Sequence, residues 1–334
     1  MSISDVKQLE ELTKQWEPRL REAFLQAVLD INSGVNLSVI IRLISEGAVE
    51  QVLRELAVTP SDFAPLAQEI TNAFNAAGKQ MAKQIPPART TTSRKVQFQF
   101  NIRNPEAEAW LKDRSSTLIT SIVEDTRQSV RQLLAAGLAE GNNPRTTALE
   151  LVGRLNANGR REGGVIGLTP AQEQWARAYR EELETGQLKK AIGRDLRDKR
   201  FDRTIAKASR TGKPIPKDMI EKMVSSYRNR TLKYRADNIA RTETLEAVNE
   251  AQHQSIVQAV EAGALSNDTV RRFVVTAGDE RVRPEHKKIP GMNRSGVKID
   301  QPFKTPSGPK MRPPFDVNCR CQVRMRVNYF KGLK

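Results

Sequence analysis

From the start of the chain the apolar positions recur at steps of three and four: Leu9, Leu12, Trp16, Leu20, Phe24, Val28 and Ile31. That is the spacing of one helical face, and it predicts an amphipathic helix over residues 4–32 with Ser4 as its N-cap. Two shorter helical patterns follow at 36–57 and 61–84, the second opening on the capping sequence Thr-Pro-Ser-Asp. Together they predict a small helical bundle over 1–85. Residues 85–93 break the period with paired prolines and a Thr/Ser run, which reads as a linker. Residues 96–102 then alternate apolar and polar positions and predict a lone strand.

Three sites pair a small polar residue with proline: Asn104-Pro105, Asn143-Pro144 and Thr169-Pro170. Each sets a side-chain acceptor at the N-cap and a residue without an N–H in the first helical turn, so each predicts a helix start. The first helix carries a stripe from Trp110 to Leu138 and should end near Gly141; the others should run to Leu155 and Glu184. Residues 187–214 are basic and show no period, and a long helix is predicted over about 216–262, with Ile220, Val224, Tyr227 and Tyr234 on one face. A short strand at 273–276 and another at 322–327 bracket a proline-rich stretch that predicts irregular structure. The expected fold is therefore mainly α. An N-terminal helical unit (1–85) is followed by a linker and strand (86–103) and a central helical region with a basic end (104–214). The remainder (215–334) is a long helix plus a small, loop-rich α+β region.

Composition sharpens this. The chain has 334 residues with 38% hydrophobic and only 5% aromatic positions, which favours Leu/Ala/Ile-packed helices over a dense β-sandwich. The most apolar stretch, residues 37–44, is short and broken by Arg42, so no membrane span is expected, and the N-terminus lacks the basic and then apolar regions of a secretory signal. A soluble protein made in a cytosol is the expectation. The net charge of +16 is concentrated: +11 over 187–235 and +10 over 271–331, separated by −5 over 236–270, with −2 over 1–93. Two basic blocks point to a polyanionic partner, while charge by itself says nothing of fold.

The densest chemistry lies between Thr276 and Cys321. Two cysteines, Cys319 and Cys321, cannot form a disulfide framework for a chain of this size. With His286 as imidazole and Asp279 or a water as fourth ligand, they make a tetrahedral set suited to zinc. Against this stands a plainer reading in which the cysteines are buried small hydrophobes, His286 pins the loop and Asp279 pairs Arg281 or Arg283. His253, on the acidic helix, reads as a surface or interface residue.

The ordered run ARTETLEAVNEAQ at 240–252, VTAGDERVRPEH at 275–286, Gly291, Phe303 and PPFDVNCRC at 313–321 resembles the phage Mu F-like family of head morphogenesis (minor capsid) proteins. The matching positions are Arg241, Thr242, Glu243, Asp279, Arg281, Val282, Arg283, His286, Gly291, Phe303, Asn318, Cys319, Arg320 and Cys321. NPEAEAWLKDR at 104–114, the NNPR turn and IGLTPAQ also look like that family, so the resemblance spans roughly 100–327 and leaves the N-terminal 93 residues outside.

The resemblance implies a low-copy component of a tailed double-stranded DNA phage, made in the host cytoplasm and placed in the capsid interior or at the portal vertex. Its implied partners are the portal protein, non-specific double-stranded DNA, and a major capsid or scaffolding protein; the N-terminal helices, near-neutral and so less suited to DNA, are the expected portal contact. Roles in head assembly or DNA ejection follow from the same likeness. DNA contact would fall to Lys189, Lys190, Arg194, Arg197, Lys199, Arg200, Arg203, Lys207 and Arg210 in the first basic block. The competing class is an enzyme, either a metal-dependent nuclease using Asp279, Glu285 and His286 or a transferase using Arg241 and Glu243. A nuclease gathers several carboxylates about its metals, and the C-terminal block is poor in them, so no enzyme is expected.

Overall fold

The structure, a computed structural model, describes residues 6–89 and 95–328. Eleven α-helices and three two-stranded antiparallel sheets make up these residues. The expected mainly α architecture with a small α+β C-terminal part is what forms.

Helix α1 (Val6–Gly34) follows the predicted stripe, and the proposed Ser4 cap lies outside the described residues. The single helix expected over 36–57 is two: α2 (Leu37–Ser45), capped by Asn36 accepting from the Ser38 and Val39 amides, and α3 (Val49–Leu56). The break is Gly47, whose φ of 68° is the left-handed conformation glycine adopts without a Cβ clash. After a 3₁₀ turn with a Thr59/Asp62 capping box comes α4 (Ala64–Gln84).

The strand expected at 96–102 forms only in part: β1 (Ala88–Arg89) pairs β2 (Lys95–Val96), and the ladder stops there. Side chains take over from it. Gln97 donates to the Ala82 and Ile85 carbonyls, and Gln258 exchanges hydrogen bonds with the Asn101 backbone. The Phe100 ring lies where a Cβ on Gly78 of α4 would be, 2.2 Å from the nearest ring atom, and packs on Phe74. The strand pattern thus becomes a side-chain-tied strap whose buried anchor is Phe100.

All three proline-led caps form as expected. Asn104 accepts from the Glu106 and Ala107 amides at the start of α5 (Pro105–Ala139), Asn143 from Arg145 at α6 (Pro144–Val152), and Thr169 shares a capping box with Gln172 at α7 (Pro170–Glu184). Helix α6 ends three residues early at Gly153, and the next stretch is a hairpin of β3 (Arg154–Leu155) and β4 (Arg161–Glu162).

The irregular stretch expected at 187–214 is instead α8 (Leu188–Gly193), a 3₁₀ turn (Lys199–Phe201) and α9 (Asp202–Thr211). Their apolar positions are helically spaced, but each piece is too short to register as a period. Helix α10 (Lys217–Glu261) is as long as predicted, although Tyr234 is exposed. Strand β5 (Val270–Val275) begins three residues before the predicted start and pairs β6 (Gln322–Val327) from Val270↔Val327 to Val275↔Gln322. Between them the expected loop contains α11 (Pro284–Met292), opened by Pro284 in its first turn.

The chain divides into two compact units that interleave in sequence. One comprises Met1–Arg21, Leu66–Ser115 and Asp237–Lys334; the other comprises Glu22–Pro65 and Ser116–Ala236. In the first, the inward faces of β5 and β6 pack with Ile289 of α11, Phe303, Phe315, Met81, Ile256 and both cysteines. In the second, Tyr179 of α7 stacks on Tyr227 of α10 at 4.8 Å, and Ile205 and Ala208 of α9 close over them. Among the described residues no single helix is long and apolar enough to cross a membrane.

Candidate metal centre

His286 reaches the site from α11 and the cysteines from the turn before β6. The sulfurs of Cys319 and Cys321 lie 3.6 and 4.0 Å from His286 Nδ1, and the three donor atoms fall within 4.8 Å of one another. Bonds of about 2.3 Å to sulfur and 2.05 Å to nitrogen at a tetrahedral angle place S and N about 3.6 Å apart, so the spacing suits a shared zinc. All three residues are buried, and with Asn318 and Arg320 they line a cavity of about 20 Å³. That is room for about one small sphere.

The sulfurs are unequal. The Cys321 thiol hydrogen-bonds the Cys319 sulfur, which also accepts from backbone amides and faces His286, and this pulls Cys319 down to about 5 against a desolvation penalty. The same bond, with burial, pushes Cys321 up. Cysteine binds metals as the thiolate, and Cys319 is the sulfur whose surroundings favour that form. The His286 ring is held edge-on against Phe315 at 5.9 Å.

Asp279 does not join them. Its carboxylate makes a bidentate pair with Arg320 at 2.7 Å on both oxygens, and Arg281 stands 3.8 Å away, so the fourth position expected of Asp279 is not supplied by it. Arg320 holds the Asp279 carboxyl below its ordinary value. Arg283 pairs with Asp316 at 3.7 Å and not with Asp279. Glu285 is exposed in the first turn of α11. The three groups of a nuclease reading are thus dispersed: one on an arginine, one in solvent, one facing sulfur.

The separated motif segments meet here as a chain of contacts. Arg114 of α5 makes a bidentate pair with Glu243 of α10 at 2.7 Å, and Thr242 Oγ1 accepts from the Asn318 amide at 3.3 Å. The Asn318 side chain donates to Asn238, and its neighbour Arg320 holds Asp279. Asn318 takes the left-handed conformation, φ 58°, that turns the chain between these contacts and the cysteines. Arg241 pairs Glu17 at 3.1 Å, so Arg241 and Glu243 reach different partners and form no joint site.

Sequence reasoning missed Arg272. It is 1% exposed, donates to the Lys298, Gln301 and Met311 carbonyls, lies 5.0 Å over the Phe303 ring, and so ties the 298–311 loop to β5. The alternation from Val270 already places it inward. His253, expected at a surface or an interface, is half-buried, and burial first, then Arg272 and Arg312, push it down to about 3.

The nine basic residues proposed for DNA contact divide into two sets. Arg194 is bidentate to Glu182 at 2.8 Å, Arg197 to Asp202 at 2.9 and 3.0 Å, and Arg200 pairs with Asp198 while remaining exposed. Lys189, Lys190, Lys199, Arg203, Lys207 and Arg210 are exposed, without ion pairs among the described residues.

The segments that meet here are those whose motifs resemble a phage head-morphogenesis family. The family model described as Phage Mu protein F like protein matches residues 128–324, and the chain belongs to that family. The match includes every quoted motif of the C-terminal part and leaves NPEAEAWLKDR at 104–114 outside. No curated protein and no solved structure matches the chain.

Proposed function

We propose that this head-morphogenesis protein is a minor component of the virion, bound near the portal and contacting packaged double-stranded DNA without reading its sequence. The supporting observation is the run of exposed, carboxylate-free cations on α8, the following 3₁₀ turn and α9: Lys189, Lys190, Lys199, Arg203, Lys207 and Arg210. Six phosphate contacts release counterions and give a slope of about −5 in log K against log salt. Fluorescence anisotropy with a random duplex is expected to show affinity falling roughly a thousandfold from about 50 to 200 mM salt. Alanine at the six positions should flatten that slope; a flat response in the native protein would turn these helices toward a protein partner. Mass spectrometry of purified virions checks the location.

The second part of the proposal is a structural zinc held by His286, Cys319 and Cys321. A zinc ion there would neutralise the thiolates and tie α11 to the turn before β6. Asn318 Oδ1, a buried acceptor without a partner, lines the same cavity and would accept from a water completing the coordination. About one zinc per chain is expected by elemental analysis, and none in Cys319→Ser/Cys321→Ser. A native chain free of metal, with the same melting temperature as the double variant, would leave the cysteines as core residues.

A further inference from the structure

The second basic block has a surface of its own. On β5 and β6 the residues alternate: Val270, Arg272 and Val274 face the core with Val323, Met325 and Val327, while Arg271, Phe273, Arg324 and Arg326 turn outward. The register sets Arg271 opposite Arg326 and Phe273 opposite Arg324, so three cations share one face of a two-stranded ribbon. Like charges directly opposite on a sheet are destabilising.

Arg271 is partly satisfied by the Asp268 and Val270 carbonyls. Arg324 and Arg326, and Arg294 just beyond α11, have no ion pair among the described residues. This contrasts with the first block, where arginines are repeatedly consumed by carboxylates. Arg294, Arg324 and Arg326 line one groove of about 330 Å³ with Phe273, Thr276, Pro290 and Asn293, and no Asp or Glu is in its wall.

The groove is also organised. The Arg326 guanidinium lies 5.0 Å over the Phe273 ring, a stacking that orients it without neutralising it. Behind the ring sits Gly296, with φ 72°; a Cβ there would stand 2.7 Å from Phe273 Cζ. Three unpaired arginines side by side on a preformed surface suit an extended polyanion, because each planar fork can take a successive phosphate, whereas a single carboxylate side chain would satisfy only one of them.

We propose that the outward face of the β5–β6 ribbon, with Arg294, Arg324 and Arg326 around Phe273, is a second contact site for the phosphodiester backbone of double-stranded DNA. The proposal rests on reading the chain as a DNA-contacting head protein and adds a site in the other compact unit. Phosphate contacts of this kind position the protein and carry no sequence information.

The test uses the full chain, a random duplex, and the salt dependence of binding by anisotropy. Arg294→Gln/Arg324→Gln/Arg326→Gln should make the slope shallower by about three, and the matching triple lysine variant should restore it. The alanine variant of the α8–α9 cations is measured in parallel. An unchanged slope in the glutamine triple, with its melting temperature retained, overturns the ribbon site. If in addition the α8–α9 variant loses its slope, the DNA-contacting reading stands while the ribbon fails. If the glutamine triple alone loses slope, the ribbon stands and the α8–α9 assignment fails. A native protein that binds no duplex overturns both.

Discussion

Replacing Arg228 by methionine is expected to lower the stability of the chain by about 3–5 kcal/mol, the cost of leaving a buried carboxylate without its cation. Arg228 is 1% exposed and sits on α10, bidentate to Glu173 at 2.8 and 2.5 Å and reaching Glu150 at 3.1 Å. Glu173 is fully buried, and burial already pushes its carboxyl up; Arg228 is the main group opposing that, with a smaller contribution from Arg177. With Arg228 gone, Glu173 must take a proton or break its packing. Glu150 keeps Arg180 at 2.7 Å and is spared. A second change, Glu173→Leu, is expected to restore most of the loss, because the apolar pair needs no charge compensation. Urea unfolding followed by circular dichroism reads both; a loss under about 1 kcal/mol in the single variant would mean the triad is wet.

Glu246→Gln is expected to work in the other direction and only above acidic pH. Burial pushes the Glu246 carboxyl up to about 7, with Glu243 and Glu250 adding to it and Arg114 and Arg312 opposing. An acid whose folded value lies above its unfolded one favours the protonated form, so its stabilising share is complete below about pH 4.5 and lost as pH rises through about 7. The native chain then carries roughly 3 kcal/mol of penalty at pH 8.5, at about 1.4 kcal/mol per unit, and glutamine removes it. Unfolding midpoints of the two chains should coincide near pH 4 and separate by pH 8.5, with the variant higher. Equal differences at both pH values would contradict this account.

Both predictions depend on where charge sits, and that is where the sequence misleads. Counting +11 over 187–235 treats each arginine as available, yet Arg194, Arg197, Arg200, Arg228, Arg230 and Arg235 all pair with carboxylates of their own unit. The acidic stretch of α10 likewise is only partly surface: Glu243 and Glu250 turn inward to Arg114 and Arg312. Net charge is a sum over residues, whereas pairing depends on contacts between residues as much as 129 apart in sequence.

What is local was legible. The Asn104, Asn143 and Thr169 caps need only the next three residues, and each forms. Helix α10 has length enough for its period to show. Helices α8 and α9 do not, and α11 hides behind its prolines. The strand pattern at 96–102 competed with Gln97 and lost. At the site, His286, Cys319 and Cys321 were visible as soft donors, whereas Asp279 fails because Arg320, 41 residues on, claims both its oxygens.

The interleaving of the two units bears on how the chain folds as it is made. All of Glu22–Pro65 and Ser116–Ala236 has been synthesised before residue 237 appears, so that unit has every residue it needs while the other waits. At about 5–20 residues per second, the gap between residues 115 and 237 lasts roughly 6–24 seconds. Through that interval Met81 and Ile85 lack Ile256 of α10 and Val270, Val274 and Val323 of the β-ribbon, which belong to the same core cluster. Slowing the ribosome anywhere beyond residue 115 therefore lengthens the exposure of that apolar surface, and only a pause past residue 236 gives the unit of Glu22–Pro65 and Ser116–Ala236 time to close.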